Sequence, residues 1–183
     1  MGNTSDKPSW DELFLLMAAI MSSRGSCDRL RTACVLVKNN KIVGAGYNGS
    51  VAGADTCDDV GHLMIEGHCK RTQHGERNAI DNSVADINGA TAYVVATPCI
   101  DCIKSMLQMG VKRIVFVGSY RNSTNSAYND FVRGLCERKE VEVVNHPDPK
   151  ILLDILVKTL SRLQGPGGVL SGLDKIDLLH KKI

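Results

Sequence analysis

Two short motifs carry the reactive groups of this sequence. His74-Gly75-Glu76 is the first, and Pro98-Cys99-Ile100-Asp101-Cys102 is the second. A Cys-x-x-Cys pair at a helix start presents two thiolates to one metal, and the helix N-terminus stabilises them as anions. With His74 added, Cys99 and Cys102 complete three protein ligands. Catalytic zinc takes three and keeps a fourth position for water. Zinc lowers the pKa of that water toward about 7 and so supplies a hydroxide nucleophile. Glu76, two residues after His74, need not bind the metal. It can take the water's proton and deliver it to a substrate. Two rival uses fit less of the pattern. A redox Cys-x-x-Cys leaves His74 and Glu76 idle. A purely structural zinc at His74, Cys99 and Cys102 wants a fourth ligand.

The rest of the chain must frame these groups. Its 183 residues suit about one domain, and 43% hydrophobic with 23% charged residues is globular composition. A net charge of +2 gives no field for duplex DNA or an anionic membrane. One tryptophan, four tyrosines and three phenylalanines are scattered, so no stacking platform for single-stranded nucleic acid is expected. The apolar run from Leu13 to Ile20, extended by Met21, is too short to span a bilayer. Asp6, Lys7, Asp11 and Glu12 precede it, unlike the basic front of a signal peptide. Asp6 stands where a myristoylation motif needs Ser or Thr. The expectation is a soluble, cytoplasmic protein with no nucleic-acid or membrane partner. Seven cysteines, an odd number without an export signal, point to metal rather than disulfides.

Ser9 with Glu12 resembles a capping box, and Trp10, Leu13, Met17 and Ile20 recur at helical spacing. This predicts a first helix ending near Arg24-Gly25. Ala33 to Val37 and Ile42 to Tyr47 are predicted strands, joined by a turn at Lys38-Asn39-Asn40-Lys41. Residues 48–73 lack periodicity and are rich in Gly, Asp, Cys and His, so something must pin them. Helices follow at 75–85, with Ala79, Ile80 and Val84 on one face, at Cys99 to Met109, and at Ser126 to Arg138 with Phe131, Val132 and Leu135 inward. Strands are predicted at Thr91 to Thr97, Arg113 to Val117 and Val141 to Val144. Strand–helix–strand units favour parallel pairing through right-handed crossovers. The expected fold is an α/β three-layer sandwich, its mixed sheet of about five strands flanked by helices and its last two strands parallel. The expected organisation is one domain over 1–145, carrying both motifs, and a C-terminal helical extension over 146–183. Gly44-Ala45-Gly46-Tyr47-Asn48-Gly49 matches G-x-G-x-x-G, but no helix follows, so a dinucleotide site is rejected. A tight turn placing Asn48 near the pocket is expected instead.

The spacing H-x-E with P-C-x-x-C is the signature of zinc deaminases. Over residues 10–145 the sequence resembles the deoxycytidylate (dCMP) deaminase family of the cytidine deaminase-like superfamily. The residues that carry the likeness are Gly46-Tyr47-Asn48-Gly49, the run from His68 to Ile80, and Thr97-Pro98-Cys99-Ile100-Asp101-Cys102. The resemblance implies hydrolysis of dCMP to dUMP and ammonia for thymidylate synthesis, with His74, Cys99 and Cys102 on zinc and Glu76 as proton shuttle. It implies that the N–H of Gly75 and the carbonyl of Thr97 flank the pyrimidine and that Asn48 contacts the sugar. It also implies activation by dCTP with Mg²⁺, inhibition by dTTP, effector contacts from Gly46, Tyr47, Asn48 and Gly49, and a homo-oligomer, with a hexamer favoured. The family usually has Ala where this chain has Gly75, and a smaller or uncharged residue at Arg77.

Cys57, His62 and Cys69 lie in the irregular stretch, and Cys27 lies in the loop after the first helix. Together they form a candidate structural zinc site, with His68 as substitute ligand. Cys34 and Cys136 are expected in the core. Arg29, Arg31, Arg71, Tyr120 and Arg121 are candidates for the substrate phosphate, since Arg binds phosphate through paired hydrogen bonds. Tyr120 and Arg121 follow the fourth strand at the carboxyl edge of the sheet, where ligands bind. Three alternatives stand beside the dCMP reading. One is a deaminase of dCTP or of a cytosine nucleoside. A second is a tRNA adenosine deaminase, against which the near-neutral charge counts. The third is a catalytically idle nucleotide-binding regulatory module.

Overall fold

The computed structural model describes residues 7–119 and 125–172. Helix α1 spans Trp10–Ser22, and strands β1 Ala33–Lys38 and β2 Lys41–Tyr47 form a hairpin. A short helix α2 at Cys57–Val60 and a two-residue pair, β3 Met64–Ile65 with β4 His68–Cys69, interrupt the segment expected to be irregular. Then come α3 Gly75–Asp81, β5 Thr91–Val95, α4 Ile100–Gln108, β6 Arg113–Val117, α5 Ser126–Arg138, β7 Glu142–His146 and α6 Lys150–Gln164.

The main sheet has the order β2-β1-β5-β6-β7. Strand β1 is antiparallel to β2 and β5, while β5, β6 and β7 run parallel. Helices α3, α4 and α5 cover one face around Leu36, Val94, Met106 and Ile114. The other face packs Phe14 and Leu15 of α1 and Ile151 of α6 against Val35, Tyr93 and Val115. This is the mixed five-stranded sandwich expected.

Local chemistry explains the element ends. In the capping box of α1, the Glu12 N–H donates to Ser9 Oγ at 3.2 Å and the Ser9 N–H donates to the Glu12 carboxylate at 2.6 Å. The β1–β2 turn holds Asn39 and Asn40 at φ of 53° and 57°, the left-handed pair that a two-residue hairpin needs and asparagine tolerates. Helix α6 lies on α1, with Ile155 buried and Lys158 Nζ 3.0 Å from Glu12. Among the described residues no helix is long and apolar enough to cross a membrane.

Several expected boundaries and faces differ. Helix α3 stops at Asp81, because the Val84 N–H pairs with the Val43 carbonyl at 2.8 Å and draws the chain away. Val84 is therefore 86% exposed rather than inward. Helix α5 turns Tyr128, Val132, Leu135 and Cys136 to the core, a face of period i, i+4, i+7, i+8, and leaves Phe131 exposed beside it. Trp10 and Ile20 are also exposed, since α1 faces the sheet through Phe14, Leu15 and Ala18. Trp10 stacks on Phe14 instead.

Candidate active site

The two motifs meet where two helices begin. His74 is the extended residue just before α3, and Glu76 is the second residue of that helix. Cys99 is the corresponding residue of α4, its sulfur accepting the Cys102 N–H at 3.4 Å. His74 Nδ1 lies 3.5 Å from Cys99 Sγ and 3.4 Å from Cys102 Sγ. Zinc bonds of about 2.0–2.1 Å to nitrogen and 2.3 Å to sulfur place neighbouring tetrahedral N and S atoms about 3.6 Å apart. The donor set fits zinc in type and spacing.

The electrostatics agree. Two adjacent thiols resist ionising together unless a cation lies between them. The Cys99 thiol is drawn down to about 4, first by the hydrogen bond from Cys102 and then by His74, and against its burial. Cys102 is pushed up, by its hydrogen bond to Cys99 and by burial. His74 is raised, chiefly by its bond to Cys99. Glu76 is only 5% exposed, and that burial holds its carboxyl above the usual range although His74 pulls the other way. Burial in β1, and then the nearby Glu76 charge, push the Cys34 thiol up.

Glycines bring α3 against the sheet. A Cβ on Gly44 would fall 2.6 Å from the Ala79 carbonyl oxygen, and one on Gly46 would run into the Ala79 amide nitrogen. The G-x-G-x-x-G stretch is thus a seat for a helix, consistent with rejecting a dinucleotide site. A Cβ on Gly75 would fall 2.9 Å from Ala33 Cα, which accounts for glycine here. Asn78 Nδ2 donates to the Tyr47 carbonyl at 2.8 Å, fastening α3 to the end of β2.

The other expected site residues lie in different settings. Asn48 is buried, with Oδ1 accepting the Thr32 N–H at 2.8 Å and Nδ2 donating to the Leu30 carbonyl at 2.9 Å. Its amide holds the loop after α1. Gly75 opens α3, where its N–H has no partner within the helix. Thr97 follows β5, its hydroxyl donating to the Gly118 carbonyl at 3.4 Å. Tyr120 and Arg121 lie outside the described residues. Arg77 pairs with Asp81 at 3.1 Å. Three arginines expected to serve phosphate have other partners. Arg29 donates to Met64 Sδ and the Gly67 carbonyl, Arg31 pairs with Asp58, and Arg71 donates to the Gly61 carbonyl. Arg29 and Arg71 thereby satisfy carbonyls of short turns in the segment inserted between β2 and α3, and Arg31 ties the α2 end of that segment to the loop after α1.

The structure gathers a second donor group. Cys27, Cys57, His62 and Cys69 gather with all ligand atoms within 4.8 Å of one another. Cys57 Sγ and Cys69 Sγ are 3.5 Å apart, and Cys27 Sγ is 3.7 Å from His62 Nδ1. His62 Nε2 lies 3.0 Å from Asp28, an arrangement that orients a metal-binding imidazole. His68 is exposed and outside the group. Burial and the Cys69 hydrogen bond push Cys57 up to about 12. Cys69 falls to about 6 against its burial, helped by the Arg71 N–H and by Cys57.

Sequence reasoning missed Tyr128. This buried side chain on α5 donates its hydroxyl to the Pro98 carbonyl, one residue before Cys99. No local motif marks it, because the contact joins segments far apart in the chain.

A His-Cys-Cys donor set at two converging helix starts, above a buried glutamate, defines a zinc-dependent hydrolytic site on an α/β sandwich. The model of the cytidine and deoxycytidylate deaminase zinc-binding region matches residues 8–118, and the chain belongs to that family. It is 30% identical to ComE operon protein 2 of Bacillus subtilis, over 97% of this chain and 92% of that one. It is 31% identical to the deoxycytidylate deaminase of Schizosaccharomyces pombe over 66% of its length, and spans 41% of that longer protein. Its fold matches the crystal structure of dCMP deaminase from the cyanophage S-TIM5 in complex with dCMP and dUMP. The TM-score is 0.62 and the identity 27%, covering 76% of this chain and 98% of the phage chain.

Proposed function

We propose that this chain hydrolyses dCMP to dUMP and ammonia and so supplies dUMP for thymidylate synthesis. The observation that carries the reading is the pairing of the His74–Cys99–Cys102 donor set with the buried Glu76. Kinship with proteins named deoxycytidylate deaminase supports the choice of substrate, as does likeness to a phage enzyme seen with dCMP and dUMP.

His74, Cys99 and Cys102 would hold the zinc, which would lower the pKa of a bound water toward about 7. Glu76 takes one proton from the attacking water and delivers it to cytosine N3, then takes the second from the new C4 hydroxyl and delivers it to the departing amine. C4 thereby gains oxygen and loses ammonia. The raised Glu76 suits this double duty, because a carboxyl tuned toward neutrality both accepts and donates. The Gly75 N–H and the Thr97 carbonyl flank the base, Asn48 reaches the sugar, and Tyr120 and Arg121 serve the phosphate. A second, structural zinc at Cys27, Cys57, His62 and Cys69 pins the inserted segment. Regulation by dCTP with Mg²⁺ and by dTTP through Gly46, Tyr47, Asn48 and Gly49 and assembly as a hexamer follow from the resemblance, and a cytoplasmic setting is proposed beside them.

The test offers zinc-loaded protein dCMP, dCTP, deoxycytidine and cytidine, with and without dCTP plus Mg²⁺ as effector, and identifies products by chromatography. The expected result is conversion of dCMP, stimulated by dCTP. Conversion of dCTP or of nucleosides in preference would overturn the substrate assignment. No conversion with zinc present would favour a nucleotide-binding module.

A further inference from the structure

We infer that Tyr128 is a positioning residue for the catalytic metal site, its hydroxyl fixing the Thr97-Pro98-Cys99 turn through the Pro98 carbonyl. The turn needs such a hold. Pro98 has no N–H, so its carbonyl is the one backbone hydrogen-bonding handle there. That carbonyl lies outside α4, whose first acceptor is Cys99, bonded by the Ile103 N–H at 2.9 Å. Pro98 is fully buried, so its oxygen needs a protein partner. Tyr128 provides one.

Tyr128 is itself well anchored. It lies in the first turn of α5, where Asn125 Oδ1 accepts its N–H at 3.1 Å, and its side chain is 8% exposed. Packing alone does not hold the turn. A hollow of about 370 Å³ opens between α4, α5, β6 and β7, and Thr97, Pro98 and Tyr128 are all on its wall. On that side less packing backs the turn, and the hydrogen bond adds a directional hold. What the bond protects is specific: the place of Cys99 Sγ beside His74, and the direction of the Thr97 carbonyl. The second consequence rests on the proposed deaminase reading, and the first does not.

Tyr128→Phe removes the hydroxyl and keeps the ring. The full chain would be compared with this variant by three readouts: zinc affinity in chelator competition, the visible spectrum after cobalt(II) substitution, and kcat and KM on dCMP. The cobalt bands that vanish in Cys99→Ser mark the catalytic site and set it apart from the second cluster. The expected result is an unchanged far-ultraviolet spectrum, shifted catalytic-site cobalt bands, zinc affinity weaker by about tenfold, and kcat lower by about tenfold with KM within about threefold. Wild-type affinity, bands and kcat would overturn the inference. So would a change confined to KM, which would make Tyr128 a substrate contact. Should Tyr128→Phe fail to fold, Asn125→Ala loosens the same tyrosine and Asn125→Asp keeps the acceptor. The alanine variant is expected to shift the cobalt bands and the aspartate variant to restore them, and an alanine variant with wild-type bands would overturn the inference. If the wild type deaminates no cytosine nucleotide, the proposed function fails while the affinity and cobalt readouts still decide the role of Tyr128.

Discussion

Gly49 and Gln73 exchange both backbone hydrogen bonds, at 3.2 and 2.8 Å, and so close a loop whose two ends belong to different parts of the site. Gly49 follows the strand that seats α3, and Gln73 immediately precedes His74. Between them lies the inserted segment with three of the four ligands of the second cluster. The fourth, Cys27, comes from the loop that Asn48 clamps. The second cluster is thus tied to His74 through a few backbone hydrogen bonds.

Removing a ligand of that cluster tests its structural role. In Cys57→Ser, bound zinc is expected to fall from about two to about one per chain by elemental analysis. Loss of a structural metal is expected to cost about 3 kcal/mol and to lower Tm by about 6–12 °C for a chain of this size. Full zinc content with unchanged Tm would mean that the four residues hold no metal.

Close approach of α3 to β2 makes Gly46 intolerant of a side chain. Gly46→Ala must push Ala79 away and is expected to destabilise by about 1–3 kcal/mol in urea unfolding. Gly49→Ala is the control. Its Cβ would stand 3.4 Å from the Tyr47 ring, and its effect is expected within about 0.5 kcal/mol.

Asp11 links α1 to the sheet and gives a pH dependence. Arg113 donates to its two oxygens at 2.7 Å each, and the Tyr93 hydroxyl donates at 2.7 Å. The Arg113 guanidinium chiefly, with Tyr93 also helping, holds the Asp11 carboxyl below its ordinary 3.8, against its burial. A carboxyl lowered on folding stabilises above its unfolded value, and that contribution is lost as pH falls through the folded value. Asp11→Asn is therefore expected to cost about 1 kcal/mol at pH 7, a modest figure for a partly exposed site. The difference should shrink below pH 3.8. Equal penalties at pH 7 and pH 3 in thermal melts would refute an ionic origin.

The catalytic donor set was legible because each half is a short motif at a helix start, where local sequence dictates geometry. The second cluster was legible from ligand type, His62 included, and the fold leaves the substitute His68 exposed outside the group. Helix limits were less so. The end of α3 depends on the pairing of Val84 with Val43, a contact between distant segments. The exposure of Phe131 depends on which α5 face meets the sheet. Arg29, Arg31 and Arg71 suggested phosphate by type, yet each bonds to the inserted segment, which has no periodicity to announce its turns. Tyr128 left no sequence signal, because its partner is a backbone carbonyl thirty residues away.

The central claim is that Glu76 moves the proton while His74, Cys99 and Cys102 hold zinc. The direct measurement is dUMP release from dCMP by the wild type and by Glu76→Gln, with zinc content determined on both samples. The account predicts wild-type zinc in Glu76→Gln and turnover lower by at least about 10²–10⁴-fold. Near-normal turnover in the variant, with its zinc retained, would contradict it.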